Sequence, residues 1–295
     1  MRRVTELEGG VVDGTSPTVQ RRRLGVALRT LRQERGLTGE QAGERVERSA
    51  SWISRVEGGR IGIRARDLRD LLDLYQVDDA ARRAELLSLA ERGRARSWWS
   101  EYSGTISDAY ATFIGFEDEA ARFESYEPMV VPGLLQLESY ARALVESGIP
   151  QLTKREVEDR IQVRLRRQEV LRKPDNPLHL SLVLQENALR QRVGDAEIMR
   201  DQLRHLIEEA QRPNVDLRIL LDEQTRPIGS VHHFVLIYLE PEAPDSVYVE
   251  DFAGGRFERA SNMRPYRDAF VRFRDLALDP DESITKIEVA IRQTP

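Results

Sequence analysis

The sequence contains no cysteine, which excludes a disulfide framework, a thiolate metal site and a cysteine nucleophile together. Four histidines leave little material for a zinc site. Lysine is nearly missing: with only Lys154, Lys173 and Lys286, 42 of the 45 basic residues are arginine, the mark of GC-rich coding. No apolar stretch approaches the roughly 20 residues that cross a bilayer. The N-terminus "MRRVTELEGGVVDGTS" has no signal-peptide core, so a cytoplasmic protein without membrane contact is expected. Also lacking are a Gly-rich phosphate loop, a nucleophile elbow and metal-ligand spacing. No enzyme activity, catalytic residue, cofactor or metal is therefore expected.

What is present points to two domains, because 295 residues exceed the usual single-domain size of about 100–150. The net charge of -5 hides an asymmetry. Residues 21–97 hold 18 arginines against 12 acidic residues, a net +6, whereas 98–295 hold 25 basic against 35 acidic residues, a net -10. A basic module gains counterion-release free energy on a phosphate backbone, and an acidic one is repelled by it. Nucleic acid, if bound, is bound by the front.

Residues 1–19, with Gly9, Gly10, Gly14, Ser16 and Pro17, read as a flexible tail, and order begins near Gln20. Leu24, Leu28 and Leu31 give a first helix its buried face and leave Arg21, Arg22, Arg29, Arg32 and Arg35 solvated. Thr38 followed by Gln41 is a capping box for a short helix from Gly39 to about Val46, and Ser49 is a good N-cap for a third helix reaching Glu57. Leu68, Leu71, Leu72 and Tyr75 mark a fourth helix, and Leu86, Leu87 and Ala90 a fifth. The expected plan is an all-α five-helix head, with a helix-turn-helix domain over 20–79 and a helical linker over 80–97.

An α+β domain over 98–295 follows, helices first and then a mixed sheet of about four or five strands. Glu117–Ser125 and Leu134–Ser147 read as helices separated by "EPMVVPG", and Thr153 with Glu156 opens a long helix to about Arg172. Strand character appears in "LHLSLVL" (178–184), "VDLRILL" (215–221), "HHFVLIYL" (232–239) and "SVYVEDF" (246–252), and more weakly in "GRFERAS" (255–261). A helix around Ile198–Ala210 between the first two makes them a parallel pair, and helices near Tyr266–Leu276 and Ser283–Arg292 close the chain.

The run "GLTGEQAGERVERSASWISRVEGGR" (36–60) resembles the lambda-repressor-like, or Xre, family of helix-turn-helix regulators. In such a pair the second helix lies in the major groove with its N-terminal residues at base edges. The resemblance implies that Ile53 and Val56 are buried and that Ala50, Ser51, Trp52 and Arg55 read bases in double-stranded DNA. Arg55 is able to pair with guanine O6 and N7. Arg21, Arg22, Arg23, Thr38, Gln41, Ser49, Arg60 and Arg64 are candidates for phosphate contacts. Two residues depart from the family pattern: Gly39 stands where a phosphate-contacting Gln is common, and Glu47 where the turn usually has Gly.

The second domain resembles that of the WhiJ-like regulators of actinobacteria. The likeness rests on "WW" (98–99), "FIGFEDEA" (113–120), "YEPMVVPGLLQLESYARAL" (126–144), "RLRRQEVL" (164–171), "IMRDQLRHL" (198–206), "RPNVDLRIL" (212–220) and "VYVED" (247–251). It implies an antitoxin-like transcriptional regulator associated with a small acidic partner protein. Gln136, Tyr140, Arg142, Arg164 and Arg167 are the candidates for contact with that partner or with a small-molecule effector. The arginines at 160, 164, 166, 167 and 172 along one helix otherwise read as a solvated, salt-bridged face. His232 and His233, adjacent on a strand, point to opposite faces and do not share a metal. Glu186 and Glu250 pair only if the fold brings them together. The expected whole is a homodimeric regulator whose second domain senses a partner or ligand; the alternative is an interaction protein with a degenerate head.

Overall fold

A computed structural model of the chain describes residues 17–95, 97–148, 151–225, 232–239, 246–251, 254–258 and 262–294. Most of the expected tail and the end of the run at 255–261 lie outside the described residues. The chain divides into two compact units, Met1–Ser97 and Trp98–Pro295.

The first unit consists of α1 (Pro17–Glu34), α2 (Gly39–Arg45), α3 (Ala50–Glu57), α4 (Ala65–Leu74) and α5 (Ala80–Arg92). Leu24, Leu28, Ala42, Ile53, Val56, Leu68, Leu71, Leu72, Leu86 and Leu89 form one core across all five helices. Each large aliphatic chain buried there contributes about 1.5–3 kcal/mol. Helix α5, expected as a linker, thus packs as a member of the head. Helix α1 begins at Pro17, ahead of the expected Gln20, because Thr18, Val19 and Gln20 are all buried. Proline suits a first helical turn, and one valine among small and polar residues carries no periodic signal.

Two arginines expected in solvent, Arg32 of α1 and Arg35 just beyond its end, are structural. Arg32 donates from Nε and Nη2 to the Glu57 carboxylate at 2.6 and 2.9 Å, and from Nη1 to the Leu37 carbonyl at 2.6 Å. Glu57 is buried, so this bidentate pair locks the end of α3 onto α1. Arg35 donates to the carbonyls of Tyr75 and Gln76 at 2.7 and 3.1 Å, closing the C-terminus of α4. Glycine sets how closely these helices approach. A Cβ at Gly25 would lie 2.5 Å from the Glu57 carbonyl oxygen, and one at Gly43 would lie 2.6 Å from that of Arg48.

The second unit runs α6 (Asp108–Glu119), β1 (Arg122–Glu127), α7 (Glu138–Gly148), α8 (Lys154–Arg167), β2 (His179–Gln185), α9 (Asn187–Arg190), α10 (Ala196–Ala210) and β3 (Val215–Leu220). It continues through α11 (Asp222–Thr225), β4 (Phe234–Tyr238), β5 (Ser246–Asp251), β6 (Gly254–Phe257), α12 (Met263–Leu276) and α13 (Pro280–Gln293). The strands form one mixed sheet in the order β3-β2-β1-β4-β5-β6. β1, β2 and β3 are parallel, with α10 as the crossover between β2 and β3, and the remaining pairs are antiparallel.

The sheet has six strands rather than four or five because Arg122–Glu127, of which 122–125 reads in sequence as the end of a helix, is β1, beside the sheet centre. Its sequence RFESYE places Phe123 and Tyr126 three apart, a helical spacing, and hides the strand's alternation behind buried polar residues. Those residues find partners inside: Tyr238 Oη donates to Glu124 at 2.6 Å, and Ser125 Oγ to Glu127 at 2.7 Å. Alternate residues face opposite sides of the sheet. Tyr126, Phe234, Leu236, Tyr238, Val247 and Val249 pack with Phe270 and Phe273 of α12.

On the other side, α6 and α8 are joined by a buried ion pair, in which Arg167 Nε and Nη2 donate to Glu117 at 2.6 and 2.7 Å. Replacing Glu117→Gln leaves the guanidinium uncompensated and is expected to cost about 3–5 kcal/mol in chemical denaturation of the full chain. Gly25→Ala is expected to lower the stability of the head by about 1–3 kcal/mol, since backbone must shift to admit the methyl group. A melting curve equal to that of the parent protein would contradict the close helix approach at Gly25.

Candidate functional site

The head presents α3 through its N-terminal turn. Ser49 caps the helix, its Oγ accepting from the Trp52 amide at 3.1 Å. The capping box between Thr38 and Gln41 is formed, the Thr38 amide donating to Gln41 Oε1 at 2.8 Å and the Gln41 amide to Thr38 Oγ1 at 3.1 Å. These three side chains fix the helix starts, and their outward neighbours are free to meet a phosphate. Ala50, Ser51 and Arg55 are exposed on α3, whereas Ile53 and Val56 are buried.

Trp52 sits differently from an outward base reader: it is half-buried against the head core, with the Arg48 guanidinium 5.5 Å over its ring. Arg48 also pairs with Asp67 at 2.8 Å. Sequence reasoning passed over Arg48, although its spacing of four from Trp52 is a signal. The turn residue Glu47 has φ 54°, the left-handed conformation that glycine occupies readily. A glutamate there costs about 1 kcal/mol.

The arginines divide by placement. Arg23, Arg60 and Arg64 are exposed. Arg22 is half-buried, and burial, with Arg29 and Arg60 as nearby like charges, lowers its pKa, which marks a concentration of positive charge. Arg21 turns inward, donating to the Gly93 carbonyl at 3.1 Å and to Thr18 Oγ1 at 3.0 Å.

In the second unit, a cavity of about 870 Å3 opens between α8, the turn at 128–136 and the sheet face opposite α12. This is the size range of small-molecule sites, about 300–1,000 Å3. The sheet supplies Phe123, Ser125 and Glu127 from β1, Val235 from β4, and Tyr248 and Glu250 from β5. Register sets them in rows, with Ser125 opposite Val235 and Val235 opposite Tyr248. One step further Glu127, His233 and Glu250 form a second row. Helix α8 supplies Arg160, Arg164 and Arg167, spaced i, i+4, i+7 on one face. Arg166 instead lies 4.5 Å over the Trp98 ring, and Arg172 pairs with Glu209.

Three of the five residues expected at a ligand or partner site come together at this cavity: Gln136, Arg164 and Arg167. Arg164 Nη1 donates to Gln136 Oε1 at 2.9 Å, and Gln136 Nε2 to the Val131 carbonyl at 2.7 Å. The other two do not join them. Tyr140 is buried in the core with its hydroxyl accepting from the Val131 amide at 3.4 Å, and burial pushes its pKa up to about 12. Arg142 lies on the surface, paired with Glu138 and Glu158 at 2.9 and 3.0 Å.

His232 and His233 precede β4 rather than lie on it, and both border the cavity, with His233 the one that meets Glu127. Glu186 and Glu250 are not brought together, since β1 and β4 stand between β2 and β5. Glu186 pairs instead with Lys286 and Arg190 at 2.8 and 2.7 Å.

Burial raises the pKa of the Glu117 carboxyl. The same burial opposes the Arg167 charge, but Glu117 and the Tyr110 hydroxyl outweigh it and hold the guanidinium above its ordinary value. Burial also opposes the His233 imidazolium, yet Glu127, 2.8 Å from Nδ1, together with the more distant Glu250, holds its pKa above 6.5.

Residues 110–289 match the family described as a domain of unknown function (DUF5753), over more than half of the chain, and residues 23–86 match a family described as a helix-turn-helix domain. No curated protein and no solved structure matches. No described helix is long and apolar enough to cross a membrane.

The raised His233 pKa makes the second unit pH-sensitive. A raised folded-state value contributes stability that is full below the ordinary 6.5 and is lost as pH rises through the folded value. Melting of the full chain from about pH 5.5 to 9 is expected to show this decline, and His233→Gln to remove it. The same slope in both proteins would rule out the pairing with Glu127.

Proposed function

We propose, from the premise that the chain belongs to the DUF5753 family and carries a helix-turn-helix domain, that it is a sequence-specific transcription regulator of Xre type. It acts as a cytoplasmic homodimer on double-stranded DNA. The second domain senses rather than catalyses, taking a small ligand or a partner protein and altering operator binding. The sequence likeness to WhiJ-like regulators of actinobacteria supports this assignment.

The observation that carries the DNA reading is α3: its N-terminal turn is capped by Ser49, and Ala50, Ser51 and Arg55 are exposed beside it. Arg55 has no ion pair among the described residues, so a guanine edge meets donors that need not be released first. Two such helices in a dimer read successive major grooves when about 34 Å apart. A second reading, an antitoxin-like interaction protein, is favoured by the strained Glu47 and by the small side chains at Ala50 and Ser51, which limit base contact.

Footprinting on the DNA upstream of its own gene, over a series of salt concentrations, distinguishes them. The regulator gives a protected, roughly palindromic site, and Arg55→Ala weakens it by about 1–3 kcal/mol while narrowing its preference over mismatched DNA. No protection even at low salt would leave the interaction protein as the reading.

A further inference from the structure

The second-domain cavity contains polar groups that neither the fold nor DNA reading uses. Arg160 makes no hydrogen bond and no ion pair within 4 Å of a described residue, although the Glu156 carboxylate one turn earlier feels its charge, and its Nε is shut from solvent without a partner. Arg164, one turn further along α8, meets only the neutral oxygen of Gln136 among the described residues. Tyr248 lines the same space; the residue is 1% exposed, and its Oη is shut from solvent without a partner. Its ring is held there by stacking on Phe113, with centroids 4.2 Å apart, and by Gly255, where a Cβ would lie 1.8 Å from Oη.

The other charges around the space are largely matched. Arg167 is held by Glu117, and Glu127 by His233 and Ser125. Glu250, in the row of Glu127 and His233, is exposed and favours the charged His233 imidazolium. The excess positive charge therefore sits at the α8 end, and the wall between is apolar, with Phe113, Phe123, Leu180 and Val235. A guanidinium pair matches a carboxylate or phosphate in geometry as well as charge.

We infer that this cavity binds a small organic anion, a carboxylate or phosphate carried on an apolar body, with the anionic group on Arg160 and Arg164 and the body against Phe113, Phe123 and Val235. This deepens the regulator reading by naming the chemical class of its signal, and rests on that reading only for what the binding controls.

The test is fluorescence titration of the full chain with 8-anilinonaphthalene-1-sulfonate, an anion on an apolar body, beside its uncharged counterpart N-phenyl-1-naphthylamine. Saturable one-to-one binding of the anion is expected, with displacement by aryl carboxylates. Arg160→Gln together with Arg164→Gln is expected to weaken the anion at least about tenfold and leave the uncharged probe unaffected, and Arg164→Lys to weaken it less than Arg164→Gln, since the charge is kept and the planar fork lost. Arg160→Gln alone removes no bond from the fold, so its unchanged anion affinity would overturn the inference even if the double variant melts early. A mobility-shift assay on the same preparations separates the two readings. Loss of DNA binding with anion binding intact refutes the regulator alone, and the reverse result refutes the cavity site alone.

Discussion

The buried pair of Arg167 and Glu117 is the contact around which the second domain is arranged. It joins α8 to α6 through two parallel bonds, and the guanidinium lies against the rings of Tyr110 and Phe113 at 5.0 and 5.1 Å. Such a pair adds little net stability over an apolar replacement, because both charges must leave water. Its effect is geometric, since a bidentate fork tolerates little rotation. With α8 held at 167, the side chains one and two turns earlier have one direction left, toward the space over the sheet. The head repeats the device on a smaller scale: Arg32 and Glu57 fix α3 on α1, and the close approach at Gly25 leaves no slack between the helices.

The helix-turn-helix was legible because its local signals agree. Capping residues at Thr38 and Ser49 and apolar Ile53 and Val56 all specify the same short helices. Each is a local cause, visible without tertiary contacts. The parallel pair β2 and β3 was legible for the same reason, being runs of aliphatic residues on either side of an amphipathic helix.

What stayed hidden was decided by partners distant in sequence. Strand β1 carries Glu124, Ser125 and Glu127 into the interior, which looks wrong for a central strand until Tyr238 and His233 are beside them. The arginines from 160 to 172 read as one solvated face of one helix, but α8 ends at Arg167; on it three turn to the cavity and one stacks on Trp98, while Arg172, in the turn beyond, reaches Glu209. Charge alone cannot reveal that sorting; the period of the helix can. Arg32 and Trp52 were misplaced outward for a similar reason, as a long polar or amphipathic chain covers an apolar surface while keeping its polar end satisfied.

The placement of labour along α8 has a consequence for divergence. The residue that holds the domain together, Arg167, and those that face the empty space, Arg160 and Arg164, occupy successive turns of one rigid helix. A lineage can therefore exchange the two outer positions, and with them the chemistry that the chamber favours, without touching the clamp that keeps the chamber open. On the anion site proposed above, relatives with the same architecture would answer to unlike compounds, their selectivity rewritten at two codons while the scaffold is inherited unchanged.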